Sequence, residues 1–107
     1  MEDKVQKRIA DEVAANPVVI YVKGTPEMPM CGFSKAVMGI FQNLGVPFKT
    51  VDVLSDPEIR DGVKRFTNWP TIPQVFIKGQ FVGGCDIIRD LHTRGELQRM
   101  INGPVAK

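Results

Sequence analysis

Val18-Val19-Ile20-Tyr21-Val22-Lys23-Gly24-Thr25-Pro26-Glu27-Met28-Pro29-Met30-Cys31-Gly32-Phe33-Ser34 is the stretch whose reading decides the fold. Its first five residues are β-branched or aromatic, with no polar alternation. They read as a short strand buried on both faces. Lys23-Gly24-Thr25-Pro26 breaks that strand. The segment from Glu27 onward is a loop running into a helix, whose apolar residues Val37, Ile40, Phe41 and Leu44 follow the i, i+3, i+4, i+7 spacing. Gly45 stops the helix, with Pro47 just beyond. In open α/β sheets, ligands gather past the C-terminal ends of parallel strands and at helix N-termini. Cys31 stands at such a point.

Working outward, Val5, Ile9 and Val13 mark an amphipathic helix closed by Asn16-Pro17. Downstream, Phe48 to Val53 alternates weakly and reads as a second strand. Ser55-Asp56-Pro57 supplies an N-cap and a proline in the first turn of a helix carrying Ile59, Val63 and Phe66. Asn68-Trp69-Pro70-Thr71-Ile72-Pro73 is a rigid connection. Gln74 to Ile77 and Phe81-Val82 flank the tight turn Lys78-Gly79-Gln80 and form a hairpin. Gly83-Gly84-Cys85-Asp86 leads into a last helix with Ile87, Ile88 and Leu91. Gly95 interrupts it, and Leu97, Met100 and Ile101 continue on a short final turn. The order α, β, α, β, α, β, β, α predicts an α/β domain: a four-stranded mixed sheet flanked by helices on both faces.

Composition limits the rest. The 107 residues predict a single domain over 1–107. A chain of this size buries roughly 65% of its unfolded surface, enough for a core without disulfide staples. Fourteen basic residues against twelve acidic ones leave a net charge of +2, scattered along the chain, which speaks against a nucleic-acid partner. Two cysteines and one histidine, His92, cannot supply the four ligands of a structural zinc site. No apolar run approaches the ~20 residues of a membrane span. Met1-Glu2-Asp3-Lys4 does not read as a secretory leader and is too acidic for a transit peptide. The expected compartment is a reducing, cytoplasmic one, with a bacterial cytosol favoured and an organelle matrix open for a processed form.

Cys31 is the candidate nucleophile and metal ligand. The free N–H groups of Gly32, Phe33 and Ser34 at a helix start stabilise a thiolate, and Lys23 adds a positive charge. Four positions along a two-thiol motif a second cysteine would stand, but this chain has Ser34. A serine cannot resolve a mixed disulfide, so an external thiol does so, or the thiolate ligates a metal.

Cys31-Gly32-Phe33-Ser34 resembles the signature of the monothiol glutaredoxins. Lys23-Gly24-Thr25-Pro26, Trp69-Pro70-Thr71-Ile72-Pro73 and Gly83-Gly84-Cys85-Asp86 stand in that family's order, and the resemblance runs from about Val5 to Ile101. It implies the thioredoxin fold and a glutathione site. By resemblance, Lys23, Arg60 and Lys64 would meet the glycyl carboxylate. Gly84, Cys85 and Asp86 would meet the γ-glutamyl end. Ile72, before a cis Pro73, would pair its backbone with the peptide, and Phe33 would lie beside it. Trp69 fits either the core or the pocket rim. Cys85 fits a buried structural residue with backbone contact to the ligand, a reserve thiol or a partner for Cys31. The resemblance further implies a [2Fe–2S] cluster bridging a homodimer, with Cys31 of each chain and two glutathiones as ligands, and a monomer when apo. The function expected is cluster storage or transfer between iron–sulfur assembly and recipient proteins. The alternative is glutathione-dependent reduction of mixed disulfides by Cys31 alone.

Overall fold

β1 (Val18–Val22) is the spine of a computed structural model that describes residues 3–103. All five of its residues are buried. The predicted domain span of 1–107 and the reading of the N-terminal segment extend beyond the described residues. β1 lies second in a four-stranded sheet of order β2-β1-β3-β4, formed with β2 (Lys49–Asp52), β3 (Gln74–Ile77) and β4 (Gln80–Gly83). β1 pairs parallel with β2 and antiparallel with β3, and β3 pairs antiparallel with β4. The sheet is therefore mixed, as the element order predicts.

Successive strand residues point to opposite faces, so β1 feeds two cores. Val18, Ile20 and Val22 pack with Val37, Met38 and Phe41 of α2 (Gly32–Leu44), Ile88 of α4 (Cys85–Thr93) and Leu97 of α5 (Glu96–Asn102). Val19 and Tyr21 pack with Ile9 and Val13 of α1 (Lys4–Ala15), Ile59 and Val63 of α3 (Pro57–Thr67), and Phe76. Each such side chain contributes roughly 1.5–3 kcal/mol by leaving water, as an upper figure. Helices thus cover both faces, as expected of a thioredoxin fold.

The helix ends follow the sequence signals. Asp3 and Asp56 cap α1 and α3 through their side chains, contacts worth about 1 kcal/mol each. Gly45 ends α2 in the left-handed conformation. Three boundaries differ from expectation. β4 takes in Gln80 and Gly83, beyond the expected Phe81-Val82. β2 is shorter than Phe48–Val53: Phe48 leaves the strand and packs its ring 6.0 Å from that of Phe41, while Val53 only continues with an N–H donated to the Val22 carbonyl. The final turn is a separate helix, α5, because left-handed Gly95 separates it from α4, and its Leu97 is completely buried.

Candidate functional site

Cys31 is the N-cap of α2, with extended backbone. A side chain at that position faces the free N–H groups of the first helical turn. The Ser34 N–H, then the Phe33 N–H and the Ser34 hydroxyl, hold the thiol below its ordinary pKa, with the Lys23 charge assisting; slight burial opposes them. No cap hydrogen bond is closed on the sulfur, so these donors act by favouring the anion. Cys31 is partly exposed, which leaves it open to attack or ligation.

The approach to Cys31 is a braced loop. The Lys23 carbonyl accepts from the Met30 N–H at 2.9 Å, and Thr25 and Met28 exchange backbone hydrogen bonds at 3.1 Å. Gly24 bridges Pro29 with φ of +95°, and a Cβ there would collide with the Met28 carbonyl. Two side chains anchor the base. The buried Ser34 hydroxyl accepts from the Lys23 N–H at 3.0 Å, and Asp52 accepts from the Gly24 N–H at 2.9 Å. Ser34 is thus more than a missing thiol, since its hydroxyl ties the loop to the helix that activates Cys31.

Beside Cys31 opens a cleft of about 540 Å³. Lys23, Cys31 and Phe33 line one side, and Lys64 stands at another edge. Trp69, Pro70, Thr71, Ile72 and Pro73 form a wall, with a cis peptide between Ile72 and Pro73. Gly84, Cys85 and Asp86, at the start of α4, complete it together with Ile87. A Cβ on Gly84 would lie 3.2 Å from the Pro73 carbonyl, so the glycine lets α4 sit against the wall. Trp69 is half-buried and belongs to that wall, while its Nε1 is buried without a hydrogen-bond partner among the described residues.

Of the residues expected at the ligand, Arg60 alone is not brought to the cleft. Its guanidinium lies 3.4 Å from neighbouring Asp61, while Lys64, expected beside it, lines the cleft. Cys85 lines the cleft but is only 8% exposed, and burial, the first cause, pushes its thiol up. His92 lies exposed on α4 and away from the cleft lining. The contributors outside the sequence reading of the site are Asp52, which holds Gly24, and the cleft-lining Pro70, Thr71 and Ile87. Asp52 and Gly24 are 28 residues apart, so no local pattern signals their contact.

The glutaredoxin family profile matches residues 18–82. The chain is 51% identical over 106 residues to a Synechocystis protein named an uncharacterized monothiol glutaredoxin, covering 99% of each. The chain belongs to the monothiol glutaredoxin family. This glutaredoxin is also 48% identical to a probable monothiol glutaredoxin of Rickettsia typhi, over 94% of this chain and 91% of that one. It is 44% identical to a mitochondrial monothiol glutaredoxin of Saccharomyces cerevisiae, over 94% and 69%. Among solved structures, a monomeric truncated mutant of a Trypanosoma brucei glutaredoxin superposes with TM-score 0.83 at 42% identity, over 92% and 90% of the two chains. A buckwheat glutaredoxin–glutathione complex superposes with TM-score 0.82 at 28% identity, over 95% and 93%. The thioredoxin fold of this glutaredoxin follows from these likenesses and from its own sheet. Among the described residues, no helix is long and apolar enough to cross a membrane.

Proposed function

We propose that this glutaredoxin binds glutathione in the cleft and shares a [2Fe–2S] cluster between two copies of the chain, for storage or delivery to recipient proteins. The observation that carries this reading is the single activated thiol: Cys31 is lowered and open, while Cys85 in the same cleft is raised and buried. Such a cluster takes four ligands, typically thiolates. Among the described residues no group of three or more Cys, His, Asp or Glu side chains is assembled to hold a metal. One Cys31 and one glutathione thiol from each of two chains meet the count. Lys23 and Lys64 suit the ligand's glycyl carboxylate, and the N–H groups at the start of α4 suit its γ-glutamyl carboxylate, with Asp86 available to the amine. The buckwheat glutaredoxin solved as a glutathione complex supports glutathione as the ligand. The apo chain is then a monomer and the loaded form a homodimer, in a reducing cytosol or organelle matrix.

The test is anaerobic reconstitution with iron, sulfide and glutathione, followed by visible spectrum and mass. The expected product is a coloured dimer that bleaches when glutathione is removed and does not form in Cys31→Ser. A colourless monomer would overturn the reading. Lys64→Ala is expected to weaken glutathione binding several-fold and Arg60→Ala less than twofold, as befits charges on and off the cleft. Titration calorimetry checks both.

The open, lowered Cys31 also favours a second activity. Its thiolate would attack the glutathione sulfur of a mixed disulfide, expelling the protein thiolate. That leaves Cys31 in a disulfide with glutathione; the thiolate of a second glutathione would attack its glutathione sulfur, releasing oxidised glutathione and the Cys31 thiolate. Fast turnover by a protein that never colours would place this activity first.

A further inference from the structure

Gln74 opens β3, and its side chain is completely buried. A buried primary amide must place two N–H donors and an oxygen. Its Nε2 donates to the carbonyls of Trp69 at 3.0 Å and Thr71 at 3.1 Å. Its Oε1 lies 2.8 Å from the Thr67 hydroxyl, which also accepts from the Trp69 N–H at 3.2 Å. That hydroxyl has one proton and stands 3.1 Å from the Val63 carbonyl as well. The Val63 carbonyl belongs to α3 and has the helical ladder to serve it. The Gln74 oxygen has no other donor among the described residues, so the proton goes there. Turning the amide over would set its oxygen against two carbonyls, so this orientation alone satisfies every group.

The residues held in this way are the cleft wall. Trp69 to Pro73 precede β3 and lie in no helix or strand. The Trp69 N–H also reaches the Lys64 carbonyl at 3.1 Å, but among the described residues no turn or loop backbone hydrogen bond involves residues 70–73. The Trp69 and Thr71 carbonyls, two residues apart, are both drawn inward to one amide. Ile72, the residue between the pinned Thr71 carbonyl and the cis proline, lines the cleft.

We propose that Gln74, seconded by Thr67, is a positioning residue for glutathione: its amide fixes the wall against which the tripeptide lies. The proposal rests on the reading of the cleft as a glutathione site. Gln74 does not touch the ligand; it acts through the wall.

The probe is S-methylglutathione, which has no thiol to titrate or to react with Cys31. Affinity is read by calorimetry, and the wall by emission of Trp69, the only tryptophan in the chain. Gln74→Leu is expected to bind roughly tenfold more weakly and to show altered Trp69 emission without ligand, because two carbonyls lose their donors. Gln74→Glu separates a positioning role from mere packing. At pH 8 its carboxylate offers the two carbonyls no donor; at pH 5 a buried carboxyl regains one. Its affinity and its ligand-free emission are expected to return toward wild type as the pH falls, while Gln74→Leu stays weak. Tyr21 across on β1, Lys64 on α3 and the two cleft cysteines are present in every protein compared, so whatever they contribute is common to all.

Folded Gln74 variants that bind within twofold of wild type would overturn the proposal, as would a glutamate variant without recovery at pH 5. Failure of wild type to bind the probe would instead sink the reading of the cleft, and ligand-free emission would still decide whether Gln74 holds the wall. If the Gln74 variants do not fold, Thr67→Val carries the test, with an expected loss of about threefold.

Discussion

Cys31 and Cys85 line the same cleft at the starts of two helices, and their thiols are pushed in opposite directions. The difference is one residue of register. Cys31 is the N-cap of α2, where its sulfur faces the N–H groups of Phe33 and Ser34. Cys85 is the first helical residue after the cap Gly84, and its side chain points back into the core with Ile88 and Val75. There burial outweighs everything else acting on the thiol, the nearby Arg89 charge included. Proximity to a helix N-terminus therefore does not activate a thiol by itself. The sulfur must stand at the cap, within reach of the donors, and remain in contact with water.

The largest expected effect probes that contrast directly. At pH 7, iodoacetamide should label Cys31 at least roughly tenfold faster than Cys85, because thiolate fraction and exposure both favour it. Site-resolved mass spectrometry reads the two rates, and comparable rates would break the comparison. A smaller effect sharpens it. Ser34→Ala removes the hydroxyl but keeps the Ser34 backbone N–H, the foremost cause of the lowered thiol. The pH midpoint of Cys31 labelling should rise in that variant, with about a two- to threefold slower rate at pH 7. A midpoint that falls would mean that the hydroxyl does not serve the thiolate.

The smallest effect is on stability, and its sign differs between the two cysteines. The folded pKa of Cys31 is depressed, so its thiolate stabilises the fold above the unfolded thiol pKa, and that contribution is lost as pH falls through the folded value. The folded pKa of Cys85 is raised, so its contribution is present below the unfolded value and is lost as pH rises through the folded one. Relative to Cys31→Ser, the wild-type protein should gain Tm from pH 7 to pH 9; relative to Cys85→Ser, it should lose Tm. Each change should be on the order of a degree or two. Thermal unfolding followed by circular dichroism at the two pH values gives the comparison, and equal slopes would contradict it.

What the sequence made legible was local. The run Val18–Val22, the break at Lys23-Gly24 and the helical spacing after Gly32 sit within one short stretch, and they place Cys31 correctly at a helix start. Hydrophobic periodicity recovered the order of the elements because each buries one stripe or one run. The misses are contacts between distant segments. Asp52 closes on Gly24, and Gln74 looks like an ordinary strand residue until its amide is seen to collect the carbonyls of Trp69 and Thr71. Arg60 and Lys64 share one face of α3 a turn apart, and it is the position along the helix axis, which no sequence pattern fixes, that puts Lys64 and not Arg60 in the cleft lining. Phe48 left β2 because a partner ring on α2 was available to it.

The single open thiol of Cys31 has a mass-action consequence. If each chain is half of a cluster site, loading is second order in protein. The loaded fraction then falls on dilution at fixed glutathione, and local concentration becomes a release signal that needs no conformational change. A braced loop and a pinned wall suit such a part. On that reading the chain would keep one shape, loaded or empty, and only its company would change.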